Sequence, residues 1–250
     1  MAGLGILFFI TRAQSALIDP DSFCNRNGPT GVTLVLLDAS DAIDEVKAER
    51  VKSAIVNIAR SSERGVRLDI YVADTSDGSL AEPAFSLCNP GAPGSYEALY
   101  SNAKKSQTLF EERFLESIEL TLAGLLVVEP ANASPILESI RSAATASFSR
   151  LKDSTPTELV IVSDMVQNTP ILRHRVSRQG TEEAAFLQEF NDFQKSSSWP
   201  NALADLHDAR VHLLYISRSQ YRTLQGRSHQ FWWEQYFNAV NARLVGIDTI

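Results

Sequence analysis

Residues 32–37 read Val32-Thr33-Leu34-Val35-Leu36-Leu37, a continuous apolar, β-branched-rich run that stops at Asp38-Ala39-Ser40-Asp41. An uninterrupted run of this length reads as a strand buried on both faces of a parallel sheet, because a half-solvated strand alternates. The polar group behind it then lies at the carboxyl end of a strand, where a helix begins. Up to about Ser62, Val46, Val51, Ala54, Ile55 and Ile58 fall roughly on one helical face, with Lys47, Glu49, Arg50 and Lys52 elsewhere. Gly65 closes that helix, and the stretch from Val66 to Val72 alternates as a second strand.

The same grammar continues along the chain. A third short strand is expected through residues 83–88, before the turn-rich loop of residues 89–94. Residues 105–128 read as a long helix carrying Leu109, Phe110, Phe114, Leu115, Ile118, Leu122, Leu125 and Leu126. A second helix is expected to open at Ser134-Pro135, with the serine as cap and the proline in the first helical position. Leu159-Val160-Ile161-Val162 is another apolar strand, ended by Ser163-Asp164. A basic loop follows, then a predicted helix from Thr181 to about Lys195, a strand from Val211 to Ile216, an aromatic helix from His229 to about Ala242, and a last short strand from Leu244 to Ile247. Strands separated by helices imply an α/β fold: a doubly wound, mostly parallel sheet with helices on both faces, Rossmann-like in class. No linker divides residues 19–250, which read as one domain.

The chain has 250 residues, with 23 Lys+Arg against 30 Asp+Glu for a formal net charge of −7. An acidic balance argues against nucleic-acid binding by counterion release, which needs clustered cations facing phosphates. With 44% hydrophobic residues, no fixed repeat and no low-complexity segment, disordered, collagenous and solenoid readings are excluded.

The residues at 2–10, AGLGILFFI, are small and apolar throughout, and Thr11-Arg12 and the small stretch Ala13-Gln14-Ser15-Ala16 follow. Nine residues are too few for a span, which takes about 20 in a helix. Three readings stand for residues 1–18: a helix packed on the domain, the stub of a membrane anchor, or a signal peptide. Cys24 and Cys88, the two cysteines, have neither a C-x-x-C spacing nor a nearby histidine pair, which argues against structural zinc. They are either one disulfide or two buried small apolar groups, the bridge being favoured outside the cytoplasm.

In a doubly wound sheet, ligands sit beyond the carboxyl ends of the strands, where the strand order reverses. Two strands deliver an acid to that edge, Asp38 and Asp164, and Ser40 and Ser134 add hydroxyls. Such a hard, oxygen-only set suits Mg²⁺ or Mn²⁺. The plainer reading makes Asp38, Ser40 and Ser134 helix caps and Asp164 a turn residue.

The strand VTLVLLD with Asp38-Ala39-Ser40, the Ser134 that opens a helix after a long preceding one, and LVIVSD ending at Asp164 resemble the von Willebrand factor A fold. That family builds a metal-ion-dependent adhesion site from Asp-x-Ser-x-Ser, a later Thr and an Asp after the fourth strand. The resemblance implies that Asp38, Ser40, Ser134 and Asp164 hold the metal, and that an acidic residue of a protein partner completes its coordination. The third motif position is Ala42 rather than Ser, which removes one hydroxyl, with Asp41 or Asp44 placed to compensate through water. More narrowly, Leu17-Ile18-Asp19-Pro20 with Cys24, SLCNPG at 86–91, SPILE at 134–138 and SDMVQNT at 163–169 resemble a bacterial group of von Willebrand factor A-like proteins. In that group the domain lies behind a short N-terminal membrane segment. That implies a membrane-associated or periplasmic domain, with a cytoplasmic place left open, and strengthens the case for a Cys24–Cys88 bridge.

Other chemistries find less. A haloacid-dehalogenase-like phosphotransferase would use Asp38 as nucleophile, but needs a second Asp where Ser40 stands. No G-x-S-x-G elbow and no glycine-rich phosphate loop occurs. The four histidines lack ligand spacing, and His212, mid-strand, reads as a satisfied core histidine. Trp232, Trp233, Tyr236 and Phe237 form a core stripe that leaves Phe231 at its edge, a possible partner-binding patch. Arg173 to Arg178 with Arg218, Arg222 and Arg227 reads as solvated surface, and Gln167-Asn168-Thr169 and residues 102–105 as turn or site-edge residues. The expectation is therefore a non-enzymatic, metal-bridged protein-binding module. Its alternatives are a metal-dependent phosphatase using Asp38 and a metal-free scaffold binding through the aromatic helix.

Overall fold

In the computed structural model, described over residues 17–38, 40, 42–73, 82–92, 103–126, 133–177, 183–185 and 188–250, the run that opened the sequence reading is β1 (Gly31–Leu37), buried at every position. The N-terminal segment 1–16 and Asp41 lie outside the described residues. Asp44, not Asp38 or Ser40, caps the helix that follows, α1 (Glu45–Ser61), its carboxylate accepting from the Lys47 amide at 3.0 Å. Next come β2 (Val66–Val72), β3 (Phe85–Cys88) and one long helix, α2. This helix is α-helical over Ala103–Thr108 and Glu116–Leu125, with a π-helical stretch Leu109–Leu115 between. The wider turn sets Phe110 and Phe114 side by side in the core, their rings stacked at 6.2 Å.

After α3 (Ile136–Phe148) and β4 (Thr157–Ser163), the region expected to be one helix over residues 181–195 is different. Glu183–Ala185 is a strand, β6, paired antiparallel with β5 (Arg175–Ser177), and only Phe190–Gln194 is helical (α4). Glu-Ala-Ala is a good helix former, but propensity is a weak preference that pairing overrides. Thr181 and Glu182 lie outside the described residues. The short α5 (Trp199–Ala202), β7 (Arg210–Tyr215), α6 (Arg227–Ala239) and β8 (Arg243–Thr249) complete the chain.

Six strands form one sheet in the order β3-β2-β1-β4-β7-β8, every pair parallel except β2 with β3. Alternate residues of the central strands feed two separate cores. Leu34, Leu36, Leu159, Ile161, Leu213 and Tyr215 join α3 and α6 on one face. Val35, Leu37, Val160, Val162 and Leu214 join α1 and α2 on the other. Trp232, Trp233, Tyr236 and Phe237 are buried as a stripe of α6, while Phe231 is 58% exposed. His212 departs from the core reading: it is half-exposed, with Nε2 2.9 Å from Asp248 Oδ2 on β8. No described helix is long and apolar enough to cross a membrane.

Cys24 and Cys88 form a disulfide that ties the segment before β1 to edge strand β3, with Cα atoms 4.9 Å apart and a sequence separation of 64. Beside it the Cys88 amide donates to Ser22 O at 2.9 Å, and Phe23 is buried. Closing a loop of this length restricts the unfolded chain, with a typical effect of about 2–4 kcal/mol. Replacing both cysteines by serine is expected to lower the stability measured by urea denaturation by that amount. An unchanged midpoint at constant slope would show that the bridge holds nothing.

Candidate functional site

β1 and β4 are neighbours, and from them the chain proceeds to opposite sides of the sheet, β1 toward β2 and β4 toward β7. The crevice beyond their carboxyl ends is therefore the topological switch point. Asp38 follows β1 directly, its amide donating to Val162 O of β4 at 2.9 Å. Asp164 follows β4 directly.

The Asp38 carboxylate is engaged at both oxygens. Its Oδ1 accepts the Ser40 amide at 3.0 Å, and its Oδ2 accepts the Ser163 hydroxyl at 2.6 Å. The Ser134 hydroxyl reaches the same Oδ2 loosely, at 3.5 Å. Asp38, Ser40 and Ser134 thus come together, with Ser40 and Ser134 buried. Ser134 gets there by another route than a cap. It forms an isolated antiparallel bridge with Asn168, and Pro135, not Ser134, precedes the first helical residue without a side-chain cap. The Leu137 amide at the start of α3 donates instead to the buried Gln167 Oε1 at 2.9 Å, and Gln167 Nε2 donates to Glu138 and Thr169 at 2.8 Å each. Gln167 and Thr169 are thereby structural partners of this helix end.

Asp164 is 2% exposed, and its carboxylate meets a cation of the chain itself. Its Oδ1 accepts the Val166 amide at 2.9 Å, and its Oδ2 accepts Arg218 Nε at 2.8 Å. Arg218 Nη1 donates to Ala42 O at 2.8 Å, so the guanidinium spans from the end of β4 to the loop after β1. Gln225 clamps the arginine's loop: its Oε1 accepts the Arg218 amide at 2.8 Å, and its Nε2 donates to Asp164 O at 3.0 Å and Ile216 O at 2.9 Å. Lys47 from α1 donates to Ser217 O at 2.8 Å on the same rim. The sequence reading had Arg218 as solvated surface, and Ser163 and Gln225 carried no role. The available signal was position, since Arg218 follows β7 at the edge where Asp38 and Asp164 lie.

The donor set was tested against a divalent cation. Hydroxyl and carboxylate oxygens suit Mg²⁺ or Mn²⁺ in kind. The positive charge beside Asp164 is already supplied by Arg218, however, and Ala42 offers its carbonyl to that arginine rather than a hydroxyl to a metal. Like unit charges 4 Å apart repel by about 4 kcal/mol near a protein surface. With Arg218 in this place the residues do not fit a divalent ion. Among the described residues no cluster of three or more His, Cys, Asp or Glu side chains forms a metal site.

Behind the site lies a buried aromatic and histidine network. His174 and His229 are fully buried, their rings edge to face at 5.1 Å. His229 Nδ1 lies 2.7 Å from the Tyr215 hydroxyl, and the Trp233 indole N–H donates to Met165 O at 3.0 Å and His229 Nε2 at 3.2 Å. Burial first, then the neighbouring His229, lowers His174 to a pKa of about 3; burial lowers His229 to about 4. Burial, with Asp164 nearby, raises that of Tyr215. The expected surface role of His174 is therefore corrected: it is a core residue. Arg173 beside it is exposed.

No known family model and no curated protein matches the chain. Among solved structures it is similar to the pilus adhesin SpaC of Lactobacillus rhamnosus GG in its open conformation, at 12% identity and a TM-score of 0.48, covering 87% of this chain and 28% of that one. It is also similar to the PilB minor pilin of Streptococcus sanguinis, at 12% identity and a TM-score of 0.45, covering 89% of this chain and 58% of that one. The chain spans less than two thirds of either of those chains, and at these scores the likeness carries no argument about function.

Proposed function

We propose that the chain is a non-enzymatic protein-binding module of the von Willebrand factor A-like kind, doubly wound, whose binding face is the carboxyl edge around Asp38, Ser40, Ser134 and Asp164. The strand order β3-β2-β1-β4-β7-β8, with two acidic strand ends side by side at its switch point, supports the family reading. The observation that carries the non-enzymatic reading is the engagement of both carboxylates by donors of the chain itself. Asp38, the residue a phosphotransferase would use, is held by the Ser40 amide and the Ser163 hydroxyl, and no second carboxylate stands two residues on to serve as general acid.

The partner's recognised group is an acidic residue, which meets the Lys47 ammonium on this rim. The Cys24–Cys88 bridge supports a place outside the reducing cytoplasm, periplasmic or at the membrane. Incubation with p-nitrophenyl phosphate and Mg²⁺ is expected to give no turnover above the blank. Hydrolysis that disappears in Asp38→Asn would replace this reading with the phosphatase one. A glutamate-rich peptide is expected to bind at low salt, its glutamine counterpart not, and Lys47→Glu to weaken the first. Equal binding of both peptides would remove the acidic partner.

A further inference from the structure

We infer that Arg218 is the resident cation of the carboxyl-edge site, standing in for the divalent ion that the hydroxyl and carboxylate set would otherwise hold. The inference rests on the geometry of the chain alone and does not depend on what the edge binds. A carboxylate as deeply buried as Asp164 requires a positive partner or dense hydrogen bonding. Here the backbone amide of Val166 takes one oxygen and Arg218 Nε takes the other.

The rest of the guanidinium is directed by the same loop. Its Nη1 is bound to the carbonyl of Ala42, the position at which the Asp-x-Ser-x-Ser pattern loses its last hydroxyl. The two departures from a metal site are thus in direct contact: the missing hydroxyl ligand and the arriving cation touch each other across 176 residues of sequence. Nor is the arginine loosely laid over the acid. Gln225 holds both the Arg218 amide and the Asp164 carbonyl, so the loop after β7 is fastened to the end of β4 on either side of the ion pair. The side chain of Arg218 is 14% exposed and that of Asp164 2%, so bulk water screens the pair little.

The consequence is a site that is independent of metal, with affinity for a divalent ion suppressed by the arginine's charge beyond what the one hydroxyl lost at Ala42 removes. Asp38, Ser40 and Ser134 remain together with Ser163, so removing the guanidinium charge leaves the Asp164 carboxylate one residue along the chain from that cluster. Arg218→Gln therefore gains affinity for Mn²⁺, whereas Arg218→Lys, which keeps the charge, does not.

The experiment is a Mn²⁺ titration by calorimetry, with thermal unfolding recorded alongside, on the whole chain and on both variants. The parent and Arg218→Lys are expected to show no binding heat and no change in Tm up to about 10 mM Mn²⁺. Arg218→Gln is expected to melt lower than the parent, to bind with a Kd on the order of 10⁻⁴ to 10⁻³ M, and to recover Tm as Mn²⁺ is added. Saturable binding by the parent that vanishes in the Asp38→Ala plus Asp164→Ala variant would overturn the inference. So would an Arg218→Gln protein that Mn²⁺ neither binds nor restabilises, including one that fails to fold with the ion present.

Discussion

Acidification from pH 6.5 to about pH 4.5 is expected to remove on the order of 5 kcal/mol of stability, through His174 and His229. Both are fully buried and held uncharged in the fold, with pKa values lowered from 6.5 to about 3 and about 4. In the unfolded chain they titrate near 6.5, so below that pH the unfolded state binds more protons than the folded one. Stability is therefore complete above pH 6.5 and is lost as pH falls toward the folded values. Each unit of pH across that window costs about 1.4 kcal/mol for each histidine.

Among the described residues no carboxylate hydrogen-bonds either ring. The rings face Tyr215, Trp232 and Trp233, and Asp164, the acid that acts on Tyr215, is already paired with Arg218. Among the described residues His174 Nε2 has no hydrogen-bond partner, so a proton placed there would be a buried donor without an acceptor among them. Urea denaturation at pH 7.5 and about pH 4.5 measures the loss. His174→Phe, which keeps an aromatic ring against His229 and Trp232, is expected to cut the pH dependence by about half. A parent equally stable at both pH values would show that the histidines are accessible to water or protonated in the fold.

A second large effect is expected at Asp69, where replacement by alanine should cost about 3–5 kcal/mol. Asp69 is 1% exposed and faces the core beneath α3. Its carboxylate accepts Arg67 Nε and Nη2 at 2.9 and 2.7 Å, the Ser86 hydroxyl at 2.6 Å and the Ser147 hydroxyl at 2.8 Å. The Arg67 Nη2 also donates to Ser147 O at 2.9 Å, and Ser147 reaches Tyr71 at 3.1 Å, so β2, β3 and α3 meet at one acid. Removing the carboxylate leaves the guanidinium without its counter-charge and with Ser147 O as its remaining acceptor here, which costs more than losing the bonds alone. The pair replaced together, Arg67→Met with Asp69→Leu, is expected to be more stable than Asp69→Ala, since no uncompensated charge remains. Asp69→Ala within about 1 kcal/mol of the parent would show that water or a neighbouring group takes over the acid's role.

The strands and the two acids of the site were legible because both are local properties. β1, β4 and β7 announce themselves by short apolar runs, and Asp38 and Asp164 are placed by the mere end of a strand. The burial of Trp232, Trp233, Tyr236 and Phe237 followed from helical spacing in the same way. What went unread needed partners distant along the chain. The start of α3 carries its acceptor from Gln167, 30 residues on, so Ser134 was free of capping and could bridge to Asn168 and approach Asp38. Glu183–Ala185 is a strand because β5 lies beside it. Among the histidines, mid-strand His212 ends near solvent against Asp248, while His174, next to an exposed arginine, ends in the core. A histidine's surroundings come from the elements that pack over it, which no local pattern records.

By itself, the sequence determined the α/β class and the delivery of Asp38 and Asp164 to one sheet edge, because hydrophobic periodicity encodes which residues leave water. Only the tertiary structure decided what those acids meet. The Arg218–Asp164 contact joins residues 54 apart, and Arg218–Ala42 joins residues 176 apart. A buried charge is satisfied by whatever cation the fold brings within about 3 Å, a distance set by the packing of whole elements and invisible to spacing along the chain.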